Sequence, residues 1–456
     1  KDARKFYLSG VCHVGELTGF VVRNADSEGH LTDSTVRAEG AGGAGLLVQD
    51  AGRMTGSGAD VQASGIGGAA LLVSSAARDQ PASRVTLSAS SLSATAGTAV
   101  HVLGGSSVIA LDGVNVSGSE SAIRFADHAD SPLVRGSISA SGSHILGDVL
   151  DVSTGRSVLD LDAASVLTGK TDGVDAMTLS GNSHWDMTGS SNAGDLVVAS
   201  SVIQFPTPGA DGHSLLSVTG NYHGDNALLA LNTRLDGDAS PTDRMHVHGS
   251  TSGTTGLRIL NAGGTGAQTA YGIEVITVDG ASDGLFRLEG RAVAGAHEYF
   301  LHKGAKTDPD NGDWYLRSEL DPCSEPGAEG CPVDPPVVDP PVIDPPVIDP
   351  PVGPGPGPGP GTGPGTGPGP EPRPIIRPEV GAYLALQALA VGSMRHQLHD
   401  RVGEPALDTR DSASSSSLGT WARVQTDQIG FDVVDQVEVR SRGNQLQIGS
   451  HLVHWG

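Results

Sequence analysis

The sequence predicts an all-β chain whose main body is a parallel β-solenoid, and three observations carry that prediction. Aromatic residues make up only 4% of the 456 residues, so burial has to come from many small contributions by Val, Leu, Ile and Ala rather than from large anchors. Short apolar runs alternate with Gly, Ser, Asn and Asp turns, as in Gly45-Leu46-Leu47-Val48, Ala70-Leu71-Leu72-Val73, Ala99-Val100-His101-Val102 and Ala122-Ile123-Arg124-Phe125. Leu46, Leu71, Val100, Ile123 and Val149 recur as equivalent positions, at the spacing of repeat architectures.

Taken in order, residues 1–25 do not follow the repeat and stay unassigned. They lack a secretory signal and do not begin with Met, so the chain reads as incomplete at its start. Residues 26–212 carry the repeats. One coil of about three short strands cannot bury its inward face alone, whereas coils stacked at ~4.8 Å pair their backbones and share one apolar column. A β-sandwich array is the alternative, disfavoured by the even recurrence of Gly before each apolar run. Residues 213–318 change to longer, better alternating strands and read as a distinct cap, because an open solenoid end presents unpaired strand edges and bare core.

Residues 319–377 are a spacer of Asp-Pro-Pro units, with Asp334, Asp339, Asp344 and Asp349, followed by Gly-Pro repeats that fit neither a sheet nor a helix interior. Pro378 opens a predicted helix over 378–403, with Glu379 beside it, Arg395 and Arg401 near its end and Gly403 as its stop. Its Ala, Gln and His content suits a polar pore better than lipid. Residues 418–456 alternate apolar and polar side chains, as in Thr420-Trp421-Ala422-Arg423-Val424, Val437-Glu438-Val439-Arg440-Ser441-Arg442 and Leu446-Gln447-Ile448-Gly449, the pattern of membrane barrel strands.

The formal charge of −24, from 28 basic and 52 acidic residues, repels phosphate backbones and anionic lipid and argues against a nucleic-acid partner. Three cysteines do not build a disulfide scaffold. Cys323 and Cys331 stand close enough to close a local loop, Cys12 is left over, and no zinc or redox spacing is present.

The run Asp243-Arg244-Met245-His246-Val247, then Gly253, Thr254, Leu257, Asn261-Ala262-Gly263-Gly264, Gly272-Ile273-Glu274-Val275 and Gly312-Asp313-Trp314-Tyr315-Leu316-Arg317-Ser318, resembles the C-terminal passenger module of pertactin-like autotransporters of type V secretion. Pro378-Glu379-Val380-Gly381-Ala382-Tyr383-Leu384 with Leu398-His399-Asp400-Arg401 resembles the helix that sits in that family's barrel lumen. The resemblance covers about 210–456. It implies a right-handed parallel β-helix passenger with a C-terminal cap module that seeds folding, a Pro-rich linker, one α-helix and the first strands of a truncated β-barrel. It also implies cell-surface display at the outer membrane, the barrel-assembly machinery as a partner, and a virulence-associated role in adhesion to a host receptor or matrix. Alternatives are a truncated fragment whose export is doubtful, and, further off, a hydrolase passenger.

No catalytic, cofactor or metal residue is predicted. Gly280-Ala281-Ser282-Asp283-Gly284 matches a nucleophile elbow, but strands on both sides make it a hairpin turn. His246 and His248 alternate on one strand and point to one face, yet the sequence places no third ligand beside them, so they read as a surface pair. Gly-Asp-Ser, Arg-Gly-Asp and calcium-binding nonapeptide repeats do not occur.

Overall fold

The computed structural model describes residues 4–10, 12–75, 80–130, 134–210, 212–319, 377–393, 420–433 and 437–450. Three strands make a coil, and each strand pairs in parallel with its counterpart one coil on. Arg4–Ser9 lies on Ser27–Thr32, Cys12–Gly15 on Thr35–Ala38, and Thr18–Arg23 on Ala44–Gln49. This pairing continues for about ten coils and is the parallel β-solenoid expected. Residues 4–10 and 12–23, within the segment 1–25 left unassigned by the sequence, belong to the first coil. Phe6 stacks in register on the inward-facing Gly29 of the next coil yet stays exposed in this end coil, as do Tyr7 and Leu17; apolar side chains at adjacent positions hide the alternation of the repeat, and Tyr7 stacks on His30 of the next coil at 4.7 Å.

The core is a set of columns. Leu46, Leu71, Val100, Ile123 and Val149 are register partners in that order, and all are fully buried. A second column runs Val36, Val61, Leu92, Val116, Ile145, Leu167, Trp185 and Ile203. Trp185, the largest of these, also satisfies its indole, which donates to the Gly169 carbonyl at 3.0 Å.

One corner of the coil has its own chemistry. A residue in the left-handed region turns the chain, and a buried serine often follows it: Ala89 (φ 44) precedes Ser90, Asn182 (φ 63) precedes Ser183, and Ser200 (φ 46) precedes Ser201. The serine hydroxyl accepts a backbone N–H of the preceding coil, from Ala59 to Ser90 at 3.0 Å and from Ser183 to Ser201 at 3.1 Å. A buried corner amide that no sheet ladder reaches is thereby paired.

The change of pattern near residue 213 is not a break in the fold. Tyr222–Thr233 and Thr251–Asn261 are longer because each runs through a corner, and they still stack in parallel, with a register shift between Gly224 and Ala227. Leu285–Leu288 continues the stack on Thr251–Asn261. Within the stack, whole strands pair antiparallel where Trp314–Arg317 joins Ile273–Val278 and His297–Lys303, and where Ala292–Ala294 forms a hairpin with His297–Lys303. These strands close the end of the column.

Helix Pro378–Ser393 starts on this closing end: Arg291 binds both Glu298 and Glu379, and the Arg377 amide donates to the Ala296 carbonyl at 2.9 Å. The Arg291 guanidinium holds the Glu379 carboxyl down at about 2. The helix also packs on Val437–Ser450, which pairs antiparallel with Thr420–Val433. The two stretches expected at 437–442 and 446–449 are thus one strand. No described helix is long and apolar enough to cross a membrane. Residues 320–376 of the linker, with the cysteine pair at 323 and 331, and the end of the expected helix lie outside the described residues.

Candidate functional surface

Outward side chains of the solenoid form columns as regular as those of the core, because register repeats every second residue from coil to coil. Arg23 Nε donates to Gln49 Oε1 at 2.8 Å, and Gln49 Nε2 donates to Ser74 Oγ at 2.8 Å. Arg37 reaches Gln62 at 3.1 Å, and Lys5 pairs with Glu28 at 3.0 Å. Arg135 and Arg156 stand as register partners around a shallow open recess that also involves Thr154. The lateral faces present polar groups spaced one coil apart.

At the C-terminal end, carboxylates tie successive coils through backbone amides. Asp243 is fully buried and accepts from Ser214 N at 2.7 Å, Asn232 N at 2.7 Å and Asn232 Nδ2 at 2.8 Å. Asp238 Oδ1 accepts from the amides of Ala270, Tyr271 and Gly272. The Thr265 amide, and after it Arg234, hold the Asp236 carboxyl below the usual carboxylate range. Tyr299 is buried, which raises its phenol; its hydroxyl donates toward the carbonyls of Asp236 and Ala267, both at 2.9 Å, and accepts from Ala267 N at 3.0 Å. Burial likewise raises the Tyr222 phenol, whose hydroxyl meets Thr255 at 2.9 Å. Phe286 bridges Tyr222 and Trp314, with ring centroids at 6.1 and 5.3 Å.

His246 and His248 do share a face, with ring centroids 4.0 Å apart, but they are not alone. Asp279 Oδ1 lies 2.9 Å from His246 Nε2, and Asp279 Oδ2 lies 2.8 Å from His248 Nδ1. The hydrogen bonds from His246 and then His248 lower the Asp279 carboxyl. Asp279 was missed because it comes one coil later, where Val247 pairs with Val278; only that register signals it.

Ser282 forms no nucleophile elbow. Its hydroxyl donates to the Gly312 carbonyl at 2.7 Å, and Lys303 Nζ donates to its carbonyl. Nor is its turn a hairpin, since Ile273–Val278 pairs with Arg244–Val247 and Leu285–Leu288 with Thr251–Asn261. It is a corner between two faces of the solenoid.

Comparison with known proteins adds a family context. The family described as Autochaperone Domain Type 1 matches residues 191–301, the coils in which these carboxylates and tyrosines lie. An uncharacterized protein of Escherichia coli K12, YdeU, is 37% identical over 53% of this chain and 46% of its own length. The adhesin BmaC autotransporter of Brucella suis is 44% identical over 24% of this chain and 4% of its own length. The autotransporter adhesin AIDA-I of Escherichia coli is 43% identical over 25% of this chain and 9% of its own length. The chain therefore spans less than half the length of each of these relatives.

Proposed function

We propose that this chain, an autotransporter passenger, is displayed at the bacterial surface as an adhesin that contacts host cells or matrix in a virulence-associated role. The observation that supports the reading most is the stack of outward polar columns, repeated coil after coil and set ahead of a closing module that matches the autochaperone family. Identical spacing lets a face make many weak contacts along a fibrous or repetitive partner, and such contacts multiply in strength once the first is made. Two of its relatives carry the word adhesin in their names.

In this reading the solenoid supplies contact area and the C-terminal module supplies the order of assembly. Coils 191–301 have the densest bonds between successive turns, including the buried Asp243 and Tyr299 sets. A turn formed there offers the next one a finished edge on which to pair, so stacking spreads from that end as in other one-dimensional repeats.

The test is to express the complete gene in a non-adherent bacterial host, beside a version lacking residues 26–212. Surface display is checked by added protease, and adherence to epithelial cells, to matrix-coated plates and between bacteria is counted. Several-fold greater adherence by the complete protein supports the reading. Equal adherence by two displayed forms overturns it.

A further inference from the structure

We propose that His246, His248 and Asp279 form a binding site for one divalent transition-metal ion of the zinc class, which clamps two successive coils of the closing module. The argument begins with strand geometry. His246 within Arg244–Val247 and His248 directly after it put their rings on one side, and the next coil brings Asp279 to them directly after Ile273–Val278. One ring nitrogen from each of His246 and His248 and one carboxylate oxygen of Asp279 all lie within 4.8 Å of one another. Small side-chain rotations bring three such atoms to the ~2.0–2.2 Å that zinc takes to imidazole and carboxylate.

The donor set selects the ion. Two imidazoles with one carboxylate suit zinc, nickel or copper, whereas calcium and magnesium take oxygen ligands. The group is partly exposed, with side-chain exposures of 30%, 43% and 48%, so solvent completes the coordination and the ion enters without the chain opening. The metal takes the place of the protons that the imidazoles share with Asp279, joining the same three side chains by stronger bonds. Because two ligands sit on one coil and the third on the next, the bound ion resists separation of the turns.

The test uses the purified chain, stripped with a chelator and titrated with zinc by calorimetry, with cobalt as a spectroscopic probe. Wild type is compared with Asp279→Asn and with His246→Gln combined with His248→Gln, exposed changes whose fold is checked by circular dichroism. Removing even an outer-shell partner costs about 10–100-fold in metal affinity, so removing a direct ligand weakens the tightest zinc site by at least about tenfold. The cobalt ligand-field band is lost in the double variant, and zinc raises the melting temperature of wild type only. Wild-type affinity and stoichiometry retained in both variants, or no zinc site in wild type beyond those the double variant keeps, overturns the proposal.

Discussion

Changing Asp243 to Asn tests whether the closing module is held by its buried carboxylate. The carboxylate accepts three N–H bonds, one on Oδ1 from Ser214 and two on Oδ2 from the Asn232 backbone and side chain. An amide has one acceptor oxygen and one NH2, so whichever way it turns, an N–H group faces another N–H group. A lost bond to a charged acceptor costs ~1.5–3 kcal/mol, and the buried donor left without a partner costs ~1–3 kcal/mol more. The expected loss is therefore ~2.5–6 kcal/mol, confined to the coils that Asp243 joins, since a stacked repeat melts locally. Native-state hydrogen exchange read by mass spectrometry reports the amides of Ser214 and Asn232 directly. With a urea dependence of ~1–3 kcal/mol per molar, the unfolding of these coils shifts down by at least ~1 M. Unchanged protection at both amides together with an unchanged urea midpoint would refute the reasoning.

Other positions give independent tests. Gly136→Ala places a Cβ 2.7 Å from Phe125 Cε1, and this overpacking lowers stability by ~1–3 kcal/mol in urea melts. Trp185→Ala empties the widest position of the second column and leaves the Gly169 carbonyl without its donor; the loss is ~3–5 kcal/mol. Burial, and then the neighbouring Arg124, push the His101 imidazole down to about 4 from 6.5. The unfolded chain therefore takes up a proton that the fold refuses, so this residue's contribution is complete above pH 6.5 and is lost as pH falls toward 4. The shift corresponds to roughly 3 kcal/mol, and His101→Leu flattens the stability profile between pH 6.5 and 4, as acid titration of the melting temperature shows.

The core columns were legible because burial demands the same thing of every coil, an apolar side chain at most inward positions. Leu46, Leu71, Val100, Ile123 and Val149 meet in the order read from their spacing. What local pattern conceals is distance across coils. The offset between paired residues runs from 18, at Val158 and Ala176, to 31, at Arg53 and Arg84. No fixed period could therefore bring Asp279 to His246, or Asp243 to Ser214. The apparent domain change at 213 has a similar origin. Strands that bend through a corner alternate over a longer run, and this mimics a new fold although the stack continues. The first coil was hidden by Phe6 and Tyr7, adjacent aromatic residues on opposite faces of one strand that break the alternation of apolar and polar positions.

The variable offset also bears on how such a chain can change over generations. Paired strands keep their register even though the segment between Gly68–Ser74 and Ser83–Ser88 is longer than the link between Ala44–Gln49 and Arg53–Ser57. Length is absorbed outside the ladders, one coil at a time, while the inward residues above and below stay where they were. Loops can be lengthened, shortened or exchanged without renegotiating the interior, so the exterior can diversify quickly on a conserved axis. A peptide inserted between residues 74 and 83 would be carried as a lateral display, and the turns on either side of it would still be neighbours.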